Sequence, residues 1–220
     1  MLPEITLRSH SSDQFLIDRV LYSNSYRINN FLPDSTIVDI GAHIGAFCIN
    51  AQLRGAGKIY AFEPFQNNYE VLVKNLYQMC RNYRSYKLGV SETSGFFPMA
   101  DPDLINNTFY NTADVKISEK GNPEYFCRLD EILSVIPEKI YLLKISTPNL
   151  IEVLENSNKL FLCENLCFEL DSKENSEEIL EKIKRKGAFL NCETLRNSEH
   201  TTLYKFSKTD LNICFYKYNN

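Results

Sequence analysis

The spacing of apolar positions changes character several times along the chain. Residues 13–31 carry Phe15, Leu16, Val20, Tyr26 and Phe31 at a loose helical period, which predicts an N-terminal helical region over 1–33. Pro33-Asp34 makes a turn, and Thr36–Ile40 (TIVDI) is a short β-branched run that predicts a buried strand. Ile44, Phe47, Cys48 and Ala51 then fall on one helical face, and Gly55-Ala56-Gly57 ends that helix. Lys58–Phe62 reads as a second strand. A helix follows from about Asn68, with Asn67 and Glu70 at capping-box spacing and Tyr69, Leu72, Val73 and Leu76 as its stripe. Ser85–Leu88 reads as a third strand.

Residues 91–123 lose the period, with short strands expected at 95–99 and 124–128 and a brief helix over Glu131–Val135. Ile140–Ile145 (IYLLKI) is the most apolar strand. A helix through Leu150, Val153 and Leu154 follows Pro148, and Asn165–Leu170 is a further strand. Residues 174–186 read as a helix capped by Asp171 and Glu174, with Glu178–Lys182 and Glu181–Arg185 as stabilising pairs and Gly187 as its left-handed stop. Two last strands are expected near 188–193 and 211–218, joined by polar Arg196–Thr202. Alternation of strand and helix predicts an α/β fold, a Rossmann-like doubly wound sheet. No linker divides the chain, so residues 34–220 read as one core and 1–220 as one domain.

Composition narrows the function classes. The 220 residues are 44% hydrophobic and 24% charged, with a formal charge of −4. That is an ordinary globular balance, and it argues against a general electrostatic grip on nucleic acid or an anionic membrane. No apolar run approaches the ~20 residues of a membrane span, and the N-terminus lacks the pattern of a secretory signal. Seven scattered cysteines without a C-x-x-C pair read as reduced, buried thiols of a cytoplasmic protein. His10, His43 and His200 are isolated, and Cys163 with Cys167 are two thiols only, so no metal site is expected.

Candidate chemistry begins at Val38-Asp39-Ile40-Gly41-Ala42-His43-Ile44-Gly45, a strand, a tight glycine turn and a helix start. Ligands of α/β sheets bind at such strand ends. A dinucleotide site needs a second glycine where His43 stands, so the backbone can approach pyrophosphate. Asp39 before the turn suits a cationic ligand better than pyrophosphate, and an ammonium with a sulfonium is S-adenosylmethionine. Glu63 lies 18 residues beyond Gly45, before Pro64, at the end of the second strand. An acid about 20 residues past such glycines accepts hydrogen bonds from ribose hydroxyls.

Taken together, DIGAHIGAF and KIYAFEPFQNNYEVLVKNL resemble the FkbM family of S-adenosylmethionine-dependent methyltransferases. LGVSETSG, CRLDEIL, IYLLKI and NLCFELD extend the resemblance over roughly residues 20–195. It implies the class I methyltransferase fold, about seven strands with the last antiparallel. It also implies methyl transfer to a hydroxyl oxygen of a sugar or other small-molecule acceptor. Asp39, Gly41 and Gly45 would line the methionine end, with Ala42 and His43 in the same turn. Glu63, followed by Pro64, would bind ribose, and Val90 would lie near adenine.

After the fourth strand the chain departs from the family's pattern. Lys144-Ile145 are kept, but Ser146-Thr147-Pro148-Asn149 replaces an aspartate and a glutamate-glycine pair. A missing general base costs about 10²–10⁴-fold for a hydroxyl acceptor. Ser146 and Glu169 are the catalytic candidates, with His43 and His200 as further substitutes for the base. A second reading is a catalytically inactive S-adenosylmethionine-binding protein. An NAD-dependent reductase is disfavoured by His43 and Asp39, and a nucleic-acid methyltransferase by the acidic balance and the lack of an Asn-Pro-Pro-Tyr-like element. Residues 96–113, long and aromatic-polar, are expected to roof the acceptor pocket.

Overall fold

A computed structural model describes residues 4–100, 116–117, 121–171, 177–197 and 201–209. Its strands are β1 (Thr36–Ile40), β2 (Lys58–Phe62), β3 (Tyr83–Tyr86), β4 (Gly89–Val90), β5 (Gly95–Ala100), β6 (Lys116–Ile117), β7 (Asn122–Cys127), β8 (Ile140–Ile145), β9 (Cys163–Asp171), β10 (Asn191–Asn197) and β11 (Thr201–Ser207). Seven of them form the main sheet in the order β10-β11-β9-β8-β1-β2-β3. β1, β2, β3, β8 and β9 run parallel, and β11 is antiparallel to both its neighbours. The order reverses between β1 and β8, which opens a crevice at their carboxyl ends. A smaller sheet, β4-β7-β5-β6, is inserted ahead of β8.

Alternation along the central strands divides the core in two. Val38, Ile40 and Leu143 face a cluster with Leu133, Leu154 and Phe206, while Ile37, Ile59 and Leu142 face one with Ile44, Phe47, Ile49 and Leu72. Strands buried on both faces need apolar residues at nearly every position, which is why TIVDI and IYLLKI read as continuous runs. Helix α1 (Asp13–Ile17) runs into a π-helical turn, Asp18–Tyr22. α2 (Ala46–Leu53) is buried from Ala46 to Ala51, packed against α3 (Gln66–Met79) and that π turn. α4 (Leu129–Val135), α5 (Leu150–Asn156) and α6 (Glu177–Gly187) complete the molecule.

Several local expectations are corrected. The N-terminal helix stops at Tyr22 rather than 31: Asn24 takes φ 45°, and its side chain bonds both the N–H and the carbonyl of Ile28, closing a loop in place of further helix. α3 begins at Gln66, capped by Phe65 and not by Asn67, because Glu63 accepts the Phe65 N–H and fixes the entry. In the irregular middle the strands expected at 95–99 and 124–128 form as β5 and β7, and they pair from Gly95–Phe126 to Met99–Asn122 in a separate small sheet. The final hairpin spans Asn191–Asn197 and Thr201–Ser207, so the expected polar connection at 196–202 is strand at both ends. Ala188, not Gly187, is left-handed after α6; Gly187 is needed because a Cβ there would lie 1.9 Å from the Phe189 ring. Lys182 pairs with Glu155 at 2.9 Å and Glu181 with Lys184, rather than as the expected i, i+4 pairs. The strand expected at 211–218, the Glu174 cap, His200, Cys214 and residues 101–113 of the expected roof lie outside the described residues.

Candidate active site at the glycine turn

The turn after β1 is wound by three left-handed residues, Gly41 (φ 71°), His43 (53°) and Gly45 (92°). Only glycine fits at 41, since a Cβ would lie 1.9 Å from the Ser146 carbonyl oxygen. This close approach brings the β1 and β8 ends together at the sheet's switch point. Ser146 N–H donates to the Ile40 carbonyl at 2.9 Å and continues the pairing one residue past β8.

Hydrogen bonds inside the turn decide what it can hold. Gly41 and Ala42 N–H both donate to the Phe62 carbonyl (2.9 and 3.0 Å), His43 N–H to Glu63 Oε2 (2.9 Å), and Gly45 N–H to the Ala42 carbonyl (2.9 Å). A pyrophosphate cradle depends on such N–H groups being directed at the ligand. Four of them here are consumed by the protein itself, so the turn offers carbonyl oxygens and a glycine-lined surface in place of an anion nest.

Glu63 is 5% exposed at the end of β2 and ahead of half-buried Pro64. Its carboxylate accepts from His43 N–H, from Phe65 N–H at 3.0 Å and from Asn68 Nδ2 at 3.4 Å. Burial pushes its pKa up, opposed by those hydrogen bonds. A carboxylate has about four lone-pair sites, so capacity remains for a hydroxyl donor. Asn68 also accepts from Arg8 Nη1 at 2.9 Å, and Arg8 forks onto buried Asp13 through Nε and Nη2 at 2.9 and 2.8 Å. Thus the N-terminal segment is bolted to the carboxylate through one side chain.

Asp39 is fully buried, and the charge expected to meet a cationic ligand already has a counter-ion: Lys144 Nζ lies 2.9 Å from Oδ1. Cys48 donates to Oδ2 at 3.1 Å, and burial followed by the nearby Asp39 charge drives the Cys48 thiol's pKa well up. Lys144 also donates to the Gly41 carbonyl at 2.7 Å, so Asp39 acts on the turn through Lys144. Burial of Lys144 favours the neutral amine, but the Asp39 charge outweighs it and holds the ammonium. A lone lysine in an otherwise apolar strand is the sequence signal for such a pair.

The remaining candidates lie around this turn. Ser146 is exposed, and Thr147 donates to the Val90 carbonyl at 2.5 Å. Val90 is 1% exposed and packs in the core with Cys127 and Leu129, so it offers backbone rather than side chain to the crevice edge. Pro148 and Asn149 are exposed, and Asn149 adopts φ 53°. Glu169 lies in β9 two residues before its end, next to Phe168, which pairs with Ile145 at the end of β8. Its carboxylate is held by Arg19 and by the Thr201 hydroxyl at 2.6 Å. Arg19, Arg8 and Asn68 were not legible as site residues, because their partners come from distant segments. Among the described residues no group of three or more metal-ligating side chains occurs, and no helix is long and apolar enough to cross a membrane.

A seven-stranded sheet of this order, reversed at β11 and entered through a glycine turn, is the class I methyltransferase architecture. The chain belongs to the methyltransferase FkbM domain family, whose domain matches residues 39–187. It is similar to the methyltransferase sdnD of Sordaria araneosa, 31% identical over 99 residues, which are 43% of this chain and 38% of that protein. The match therefore spans well under half the relative's length. In fold it is similar to a conserved hypothetical protein of Streptococcus pyogenes, with a TM-score of 0.52, 11% identity, and 87% and 94% of the two chains covered. A putative RNA methyltransferase of Pyrococcus horikoshii gives a TM-score of 0.49 at 13% identity over 90% and 86% of the chains. S-adenosylmethionine is the cofactor this family membership brings.

Proposed function

We propose that the protein is an S-adenosylmethionine-dependent methyltransferase acting on a hydroxyl oxygen of a small molecule or sugar. The observation that carries the cofactor is the pairing of an N–H-depleted glycine turn with a buried carboxylate at the end of β2. That combination suits a ribose without a pyrophosphate. Gly41, Ala42, His43 and Gly45 would border the methionine portion, Glu63 and Pro64 the ribose, and Val90 the adenine. When bound, the cofactor supplies a methyl group on a positively charged sulfur, whose transfer needs an oxygen nucleophile in line with the C–S bond.

The chain's residues position rather than react. Lys144 fixes the Gly41 carbonyl, and the Ser146 backbone packs against Gly41, so the turn and the β8 end move as one. Well-aligned positioning supplies several kcal/mol of a barrier of this kind. Glu169, held between Arg19 and Thr201, and Ser146 are the side chains at the strand ends from which an acceptor hydroxyl can be oriented and relieved of its proton. Buried unpaired thiols at Cys48, Cys80, Cys163 and Cys167 support a reducing, cytoplasmic setting, and the acidic balance supports a small acceptor over nucleic acid.

A second reading, a cofactor-binding protein without transfer, is favoured by one feature. The β8 end carries Ser146, Pro148 and Asn149 and no carboxylate, while Glu169 is engaged by a cation. Incubation with methyl-labelled cofactor and a panel of hydroxylated acceptors separates the two. Transfer by the wild type supports the enzyme; binding without transfer, gained on Ser146→Asp, supports the inactive binder.

A further inference from the structure

A second cleft, of about 480 Å³, opens between the π turn and the last hairpin, lined by Phe15, Asp18, Arg19, Ser25, Arg27 and Leu195 among others. Its size falls within the roughly 300–1,000 Å³ of small-molecule sites. Both walls lie outside residues 39–187, the stretch matched by the family's domain. We propose that this cleft is a subsite for a neutral, polyhydroxylated ligand, with Phe15 as its stacking surface and Arg19 and Arg27 as its hydrogen-bonding posts. Its role as the acceptor subsite rests on the methyl-transfer reading; its ligand class does not.

Three independent observations support the assignment. The first is charge. Arg19 faces Glu169, Arg27 faces Glu193 at 3.5 Å, and Asp18 adds a further carboxylate. A phosphate or carboxylate finds no unopposed cation there, and a cationic ligand meets two guanidinium groups. Paired donors and acceptors instead match hydroxyls, each of which donates and accepts at once. Phe15, 62% exposed, adds an apolar face of the kind that covers a ring's C–H surface.

The second is unmet hydrogen bonding. Arg19 Nε and Ser25 Oγ are shielded from solvent and have no hydrogen-bond partner among the described residues. Leaving such a group unpaired is costly, and a ligand hydroxyl satisfies a guanidinium N–H and a serine oxygen together as these side chains turn to meet it.

The third is backbone geometry. A π turn at Asp18–Tyr22 is followed by Asn24 at φ 45° and Arg27 at φ 44°. Non-glycine residues held left-handed cost of order 1–3 kcal/mol each and persist where surrounding structure fixes them. Here Asn50 of α2 fixes them, donating to the Val20 carbonyl at 2.9 Å and to Asn24 Oδ1 at 3.1 Å. Because α2 starts at the glycine turn, the cleft is held in register with it, and Arg19 connects the cleft to Glu169 of β9.

Saturation-transfer NMR on the full chain tests this, with methyl glucoside and methyl rhamnoside as probes against glucose 6-phosphate and a short single-stranded RNA. Expected are transfer to a neutral glycoside and an affinity loss of about tenfold or more on Phe15→Ala and on Arg27→Ala. Near-UV circular dichroism establishes that each variant is folded. No transfer to either glycoside, transfer that survives both substitutions, or tighter binding of the phosphate or the RNA overturns the proposal. Titration of the same proteins with S-adenosylhomocysteine reads the cofactor site separately, so failure of the cleft and failure of the methyltransferase reading are distinct results.

Discussion

Asp39 illustrates what one residue's surroundings change. Its carboxylate stands where a cationic ligand's counter-ion is expected, yet Lys144 already neutralises it from the neighbouring strand. Chain spacing gives no notice of that pairing, because β8 joins β1 only when the sheet assembles. Removing one partner of a buried pair leaves an uncompensated charge and costs about 3–5 kcal/mol, whereas removing both is often close to neutral. Lys144→Met is therefore expected to lower stability in urea by about 3–5 kcal/mol at neutral pH, and Asp39→Asn with Lys144→Met to recover most of that loss. A double variant as unstable as the single one would mean that Lys144 contributes through its stem and the Gly41 carbonyl instead of through charge. Glu63 was legible for the opposite reason: its distance from the glycines is fixed by one helix and one strand, both local.

At the scale of elements, β1, β2, β8 and α2 were legible because each carries its own period. Of the small sheet, β5 and β7 were legible as short strands, whereas β4 and β6 are two residues each and are defined by partners rather than by pattern. β11 was missed because Thr201 and Thr202 read as the end of a polar connection, and its strand is defined by the flanking β9 and β10. The N-terminal segment shows how a weakly patterned element is held. Arg8 makes three hydrogen bonds to Asp13, whose carboxyl is buried; burial works to raise its pKa, but the Arg8 contacts prevail and lower it. A carboxyl whose folded pKa is depressed contributes stability above its unfolded pKa and loses it as pH falls through the folded pKa. Arg8→Met is expected to cost about 3 kcal/mol at pH 7 in thermal or urea melts. The deficit should shrink below about pH 4, where Asp13 takes up a proton in the variant. An equal deficit at both pH values would refute the ion pair as its source.

Over the whole molecule, the two sites share a frame. β1 and β8 meet at the switch point, α2 leads from the glycine turn to Asn50, and Asn50 carries the π turn whose Arg19 returns to β9. The family match covers the middle of this circuit, and its N-terminal arc and both strands of the last hairpin lie outside the matched residues. Sequence motifs therefore announce the glycine turn and Glu63, whereas the contacts of Asn50 and Arg19 arise only on assembly.

The central claim is that the glycine turn and Glu63 hold S-adenosylmethionine and not a dinucleotide. Titration calorimetry of the full chain with S-adenosylmethionine, S-adenosylhomocysteine and NADH tests it most directly. Saturable binding of the first two is expected, with no binding of NADH. Glu63→Gln should weaken S-adenosylhomocysteine by about 10–100-fold, the worth of one or two hydrogen bonds to a charged group. Binding of NADH in place of S-adenosylhomocysteine, or affinity unmoved by Glu63→Gln, would contradict the account.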